Sequence, residues 1–261
     1  MKKTSAVLLA VAAAMVLSGC ADADPVQTEA TGGDPVQTEV KISSTVTASS
    51  RREETASSRT LIAYFTWADN AVVEDETAAV RSALEHYESI GDSSNYTDVD
   101  AVSSASVVQP GNVAQMAGWI QAEIGGDLFS IQATNPYPSD YDACMDRASK
   151  ERADQARPEL TGKVEHINDY DVVAIGYSNW WSGVPAPVLS FIDENDLSGK
   201  KIILFCSHGT GGLARTVREI TKELPKNCEL EKNVLGIYRA EIPAGQPKVQ
   251  QWLTEIGYER R

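Results

Sequence analysis

The residues best suited to chemistry fall in four short stretches, each polar, small or aromatic where an apolar run ends. "TWADNA", from Thr66, offers a hydroxyl where a strand frays, with Ala68 leaving room beside it. "QPGNV" places Gly111 and Asn112 at the start of a helical pattern that Val113 continues. Free backbone N–H groups and the positive end of the helix dipole make such a start suitable for a dianionic phosphate. Taken alone, Asn112 reads equally as a plain N-cap. "SNWWSG" sets Asn179, Trp180, Trp181 and Ser182 together, and paired indoles supply a flat apolar wall with stacking geometry. "SHGTGG" is a glycine-rich turn in which Ser207, His208, Gly209 and Gly211 could line an acceptor-rich edge with N–H donors. An anion site, an aromatic wall and a donor turn together suit a phosphorylated planar ring.

Other chemistries fit less well. No side chain stands out as a general acid or base, and His208 reads either as a donor to a ring edge or as a turn residue. A hydrolase built on Cys206 or Ser207 with His208 would need adjacent residues of one strand end to align, and there is no Gly-x-Ser-x-Gly elbow. Beyond Cys20 the cysteines are Cys144, Cys206 and Cys228, an odd number at unrelated spacings, so no metal frame is expected. Spacing does not decide whether Cys144 and Cys228 form a bridge.

These stretches need elements to hold them. Continuous apolar runs at Leu61 to Phe65, Asp127 to Gln132, Asp171 to Tyr177, Lys200 to Cys206 and Asn233 to Tyr238 predict strands covered on both faces. Amphipathic stretches between them predict helices over Asn112 to Ile124, Ser139 to Ala156, Pro185 to Ile192, Gly211 to Leu224 and Pro247 to Ile256. Strand–helix alternation with right-handed crossovers gives a doubly wound α/β sandwich of five parallel strands. In such a sheet ligands bind beyond the carboxyl ends of the strands, where the four stretches fall. An insertion of some forty residues, about 72–110, interrupts the alternation after the first strand and holds one candidate helix, Asp75 to Ser89.

The fold is expected to begin near Arg59. Lys2 and Lys3, the apolar run Ala6 to Val16 and the small exit Leu17-Ser18-Gly19-Cys20 read as an export signal over residues 1–19. Leu-Ser-Gly-Cys resembles the bacterial lipobox, which implies cleavage before Cys20, a lipid on its sulfur, and a membrane-held protein on the extracytoplasmic face. Residues 20–58 are poor in large apolar side chains, repeat "DPVQTE" at Asp24 and Asp34, and read as a disordered tether. The formal charge of −14 argues against nucleic acid as a partner.

From Arg59 to about Ile242 the chain resembles the bacterial long-insertion branch of the flavodoxin-like family. The resemblance is carried by "YFTWADN", "PGN", "GGDLFSI", "PYPSDYDACMDRASKERADQARPELTGKV", "YDVVAIGYSNWW" and "DLSGKKIILFCSHGTGG". It implies a three-layer sandwich, residues 59–261, with strand order 2-1-3-4-5. It also implies noncovalent FMN and electron transfer with a redox partner protein or a small quinone-like acceptor. By the same resemblance Thr66, Ala68, Asn112 and Val113 surround the phosphate. Asn179, Trp180, Trp181 and Ser182 then flank one side of the ring, and Ser207, His208, Gly209 and Gly211 the other. Three departures bear on this. Val113 stands where the family usually has Thr, Ser178 where Pro is common and Ser182 where Gly is common. Asp69, Glu74, Asp75 and Glu76 bring negative charge near the expected phosphate pocket and are expected to point out. The alternative is a non-catalytic binding lipoprotein that kept the fold and lost FMN.

Overall fold

A computed structural model describes residues 59–89, 107–180, 182–209 and 211–258. The export signal, Cys20 and the tether lie outside the described residues, as do Trp181 and all residues between Ser89 and Val107. In chain order the elements are β1 (Thr60–Tyr64), α1 (Glu76–Ser89), α2 (Asn112–Ile124), β2 (Asp127–Ser130), α3 (Tyr141–Ala153) and β3 (Val172–Ser178). There follow α4 (Ala186–Glu194), β4 (Lys201–His208), α5 (Thr216–Glu223), β5 (Glu229–Leu230), β6 (Leu235–Tyr238) and α6 (Gln246–Glu255).

All pairings are parallel, in the order β2-β1-β3-β4-β5, with β6 also on β4. The fifth position is thus filled twice. Lys201 and Ile202 pair with Glu229 and Leu230, and Phe205 to His208 pair with Leu235 to Tyr238. The expected fifth strand at Asn233 to Tyr238 is the second of these pieces. The first was illegible because two residues, one of them an exposed Glu, carry no periodic signal.

Side chains alternate across β1, and the alternation builds both cores. Leu61, Ala63 and Phe65 face α3, α4 and α5 with Val173, Ile175, Leu204, Phe191 and Ile220. Ile62 faces α2 and α6 with Ala174, Ile203, Met116, Ile120, Val249 and Trp252. Every residue of β3 is buried, as expected of a central strand covered on both faces. The result is a three-layer α/β sandwich with its strand ends open to loops. The helix α1 of the insertion packs Ala79 and Ala83 into the first core and runs beside α3, where Ser82 Oγ accepts from Tyr141 N at 2.9 Å. Among the described residues no helix is long and apolar enough to cross a membrane.

Candidate functional site

Three loops meet beyond the carboxyl ends of β1, β3 and β4. The first joins β1 to the insertion. Phe65 N continues the ladder onto Gly176 O, and Thr66 follows it, fully buried. Asn70 closes this loop by donating to Thr66 O and Ile131 O while its own Oδ1 accepts from Ala133 N. That bonding holds Thr66 and Ala68 in place against the start of α2.

The start of α2 is bare. Its N-cap is Gly111, not Asn112, with no side-chain capping bond and no acidic residue in the first turn. Asn112 is instead the first helical residue and donates from Nδ2 to Ser207 Oγ at 3.3 Å, which ties the helix start to the end of β4. Gly111 packs so closely on the β1 loop that a Cβ there would lie 1.9 Å from Thr66 Oγ1 and 3.2 Å from Ala68 Cβ. Thr66 Oγ1 is buried and has no hydrogen-bond partner. An orphaned hydroxyl beside uncapped N–H groups is an arrangement that an anion completes, because both are donors that lack an acceptor. The expected phosphate group of residues therefore comes together at Thr66, Ala68 and Asn112. Val113 differs: its side chain is wholly buried in the α2–α6 core, so only its backbone faces the site.

The nearby carboxylates do not spoil this pole. Asp69 is held by Ser130 Oγ at 2.6 Å and Gln109 Nε2 at 3.0 Å. Glu74, Asp75 and Glu76 are exposed.

The β3 and β4 loops are bonded to each other. Asn179 N donates to Ser207 O at 3.0 Å, and Asn179 Nδ2 donates to Gly212 O at 2.5 Å. Trp180 and Gly183 exchange both backbone bonds, 2.9 and 2.8 Å, which makes a tight turn that includes Ser182. Ser182 is exposed there at φ +59°, a left-handed conformation that explains why glycine suits this position. Ser182 Oγ and Asn179 Nδ2 both face Gly211 across the gap between the loops, 3.9 and 3.7 Å from where a Cβ would stand.

Trp180 corrects the picture of a two-indole wall. Its ring is edge-on to both Phe65 and Tyr137, with centroids 5.2 Å from each, and it belongs to the first core. One indole of the pair is thus half-buried and braces the turn against the first core. Trp181 is outside the described residues.

The turn is clamped from below. Glu219 of α5 accepts from Val184 N at 3.0 Å and from Arg152 of α3 at 2.6 Å. Gly183 lies against this pair, and a Cβ on it would come within 1.8 Å of Arg152 Nη1. Tyr177 OH donates to Thr216 Oγ1 at 3.1 Å and fixes the start of α5 to β3.

His208 is half-buried and bonded to the turn that follows it. Its Nδ1 lies 2.9 Å from Gly209 O, so Nδ1 carries a proton and donates to that carbonyl. Cys206 is fully buried, its Sγ donates to Ser207 O, and burial pushes its pKa far up. Among the described residues no hydrogen bond joins Cys206 or Ser207 to His208, the pairing a hydrolase would need. Cys144, Cys206 and Cys228 are free thiols, with no Cys144–Cys228 bridge.

Three residues of the strand ends were not among the expected cofactor contacts. Gly111 is needed for the close approach, and its signal was its place in "PGN". Ser178 is fully buried, with an Oγ that, like that of Thr66, has no partner. Its signal was its standing where Pro is common. Arg239, after β6, is 5% exposed. A lone Arg following "LGIY" carries no signal.

The strand order and the crossing helices define a doubly wound α/β protein. The family model of flavodoxin matches residues 98–255, and the chain belongs to the flavodoxin family. The match starts after β1, within the insertion. Among solved structures the chain is similar to a protein from Bacteroides eggerthii assigned as a flavoprotein, at 24% identity and TM-score 0.53, covering 77% of this chain and 99% of that one. A second from Bacteroides uniformis, also assigned as a flavoprotein, is 21% identical with TM-score 0.52, covering 76% and 98%. A flavoprotein from Lactobacillus acidophilus, solved in complex with FMN, is 16% identical with TM-score 0.45, covering 75% and 98%. No curated protein matches the chain.

Proposed function

We propose that this chain binds FMN noncovalently at the ends of β1, β3 and β4 and serves in electron transfer at the cell envelope, passing electrons to a redox partner protein or reducing a small quinone-like acceptor. One observation carries the reading: the partnerless hydroxyl of Thr66 set against the uncapped start of α2. The residues fit the cofactor at its anionic end. Thr66 Oγ1 and the first N–H groups of α2 would hold the phosphate, with Gly111 giving it close approach. Asn112 keeps the helix start fixed to Ser207, and Asn179 keeps the two ring-side loops at a set separation. The bonds of the buried Asn70 to Thr66 O, Ile131 O and Ala133 N hold this loop in place beside the phosphate pole. FMN supplies the hydride and single-electron chemistry, and the protein supplies binding and electrostatics.

We place the protein on the extracytoplasmic face of a membrane, held by lipid on Cys20, with the long segment between β1 and α2 as an insertion characteristic of its branch. Support for the anchor is the Leu-Ser-Gly-Cys motif behind an apolar export signal.

The test is spectroscopic. The purified chain should be yellow with the two visible flavin bands, and acid should release FMN from it. A colourless chain that takes up no added FMN defeats the proposal. For the anchor, incorporation of labelled palmitate should vanish in Cys20→Ala, and equal labelling of the two would remove it.

A further inference from the structure

Two basic side chains are buried among the described residues, Lys200 and Arg239. Lys200 donates its ammonium to Tyr170 O at 2.7 Å at the amino ends of the strands. Arg239 is at the opposite end, directly after β6, and its situation is different. Nη1 donates to Tyr87 OH of α1 at 2.9 Å, and Nε is buried without a partner. The guanidinium carbon lies 4.8 Å from the ring centroid of Tyr87 and 5.8 Å from that of Tyr238. Among the described residues no carboxylate pairs with it, in a chain with 37 acids against 23 bases. Glu241, two residues on, is exposed and bonded to Lys248 at 2.8 Å. A phenol and two ring faces solvate a cation but do not neutralise it, so among the described residues this buried positive charge is left without a paired carboxylate.

That charge has a specific neighbour. Arg239 Nη1 would be 3.4 Å from a Cβ on Gly209, the residue that begins the glycine-rich turn after β4. The same turn is the one expected to face the ring. We infer that Arg239 sets the reduction potential of the bound cofactor, favouring the reduced ring by holding positive charge behind the Gly209 turn. The inference rests on the FMN reading above. Two electrons and one proton leave the ring one negative charge richer, and a fixed cation nearby lowers the free energy of that state relative to the oxidised one. Arg239 need touch neither cofactor nor acceptor, so it is a positioning charge. Tyr87, carried on the insertion helix, holds the guanidinium in place, which gives α1 a part in the redox site.

The test uses the full chain loaded with FMN, in native form and as Arg239→Met, Arg239→Gln and Arg239→Lys. Oxidised FMN affinity is read by fluorescence titration, and the midpoint potential by titration with dithionite against a reference dye. Arg239→Met and Arg239→Gln should bind oxidised FMN as the native chain does but lose about tenfold in the affinity ratio for reduced over oxidised FMN, a fall of ~30 mV for a two-electron couple. Arg239→Lys should keep the native ratio. A yellow neutral variant with an unchanged ratio, or a Lys variant that loses as much, overturns the inference alone. Neutral variants that do not fold while the Lys variant does make Arg239 a structural cation, which also overturns it. A native chain without flavin bands overturns the FMN reading, and this inference with it.

Discussion

Thr66 and Gly111 carry opposite predictions that together separate a binding role from a structural one. A buried hydroxyl without a partner costs stability, so Thr66→Val should leave the cofactor-free fold as stable as before or raise its melting temperature. The same change removes a donor to a charged group. It should weaken FMN binding by about 1.5–3 kcal/mol, or about 10- to 100-fold in Kd, measured by quenching of flavin fluorescence. Loss of stability without loss of affinity would make Thr66 a core residue only. Gly111→Ala should be worse on both counts, since its Cβ would meet Thr66 Oγ1 at 1.9 Å and fill the approach. Asn112 shows why single residues mislead when read alone. Its type suits an N-cap, yet the structure gives the cap to Gly111 and uses Asn112 to tie α2 to Ser207.

Among the elements, α5 acts on the site through Glu219. This carboxylate, bonded to Val184 N and Arg152, holds the turn between Trp180 and Gly183 from underneath. Glu219→Ala would leave a part-buried N–H unsatisfied and should cost about 1–3 kcal/mol in urea denaturation. It should also loosen FMN binding through the turn, and Glu219→Gln should restore much of the stability because its amide oxygen can still accept from Val184. Equal losses in the two variants would argue against this role. The strong elements were legible in the sequence: the range of α2 is as periodicity predicts, and all five expected strands stand where continuous apolar runs place them, with the short β5 added. The start of α5 was not. Its residues Gly211 to Arg215 form turns, because a glycine pair lowers helix propensity where the loop must bend back to Asn179. Nor was the fate of Trp180 legible. An indole at a strand end suits a ligand wall and a core anchor equally, and only the positions of Phe65 and Tyr137 decide between them.

At the scale of the whole molecule, one sheet buries groups that ionise only in alkali, and this fixes how stability must depend on pH. Cys144 and Cys206 lie in the first core, and burial raises both thiol pKa values above their ordinary value of 9.0. Tyr137, Tyr141 and Tyr177 lie in the same core, and burial raises them above 10.0 in the same way. For an acid whose folded pKa is raised, the unfolded chain releases its proton first. Between the unfolded and folded pKa values the unfolded state therefore binds fewer protons, and stability falls as pH rises. This loss should begin near pH 9 with the thiols and steepen above pH 10 as the tyrosines join. The net charge of −14 works in the same direction, since each further ionisation adds repulsion to an already acidic chain. Urea midpoints taken in steps from neutrality to about pH 11 should thus be level at first and then decline, the usual behaviour of buried acids. In Cys206→Ala the first part of the decline should be shallower, because one of the two buried thiols no longer contributes. A midpoint that stays level through pH 10 in the native chain would mean that these side chains reach water, and with it that the first core is not closed around them.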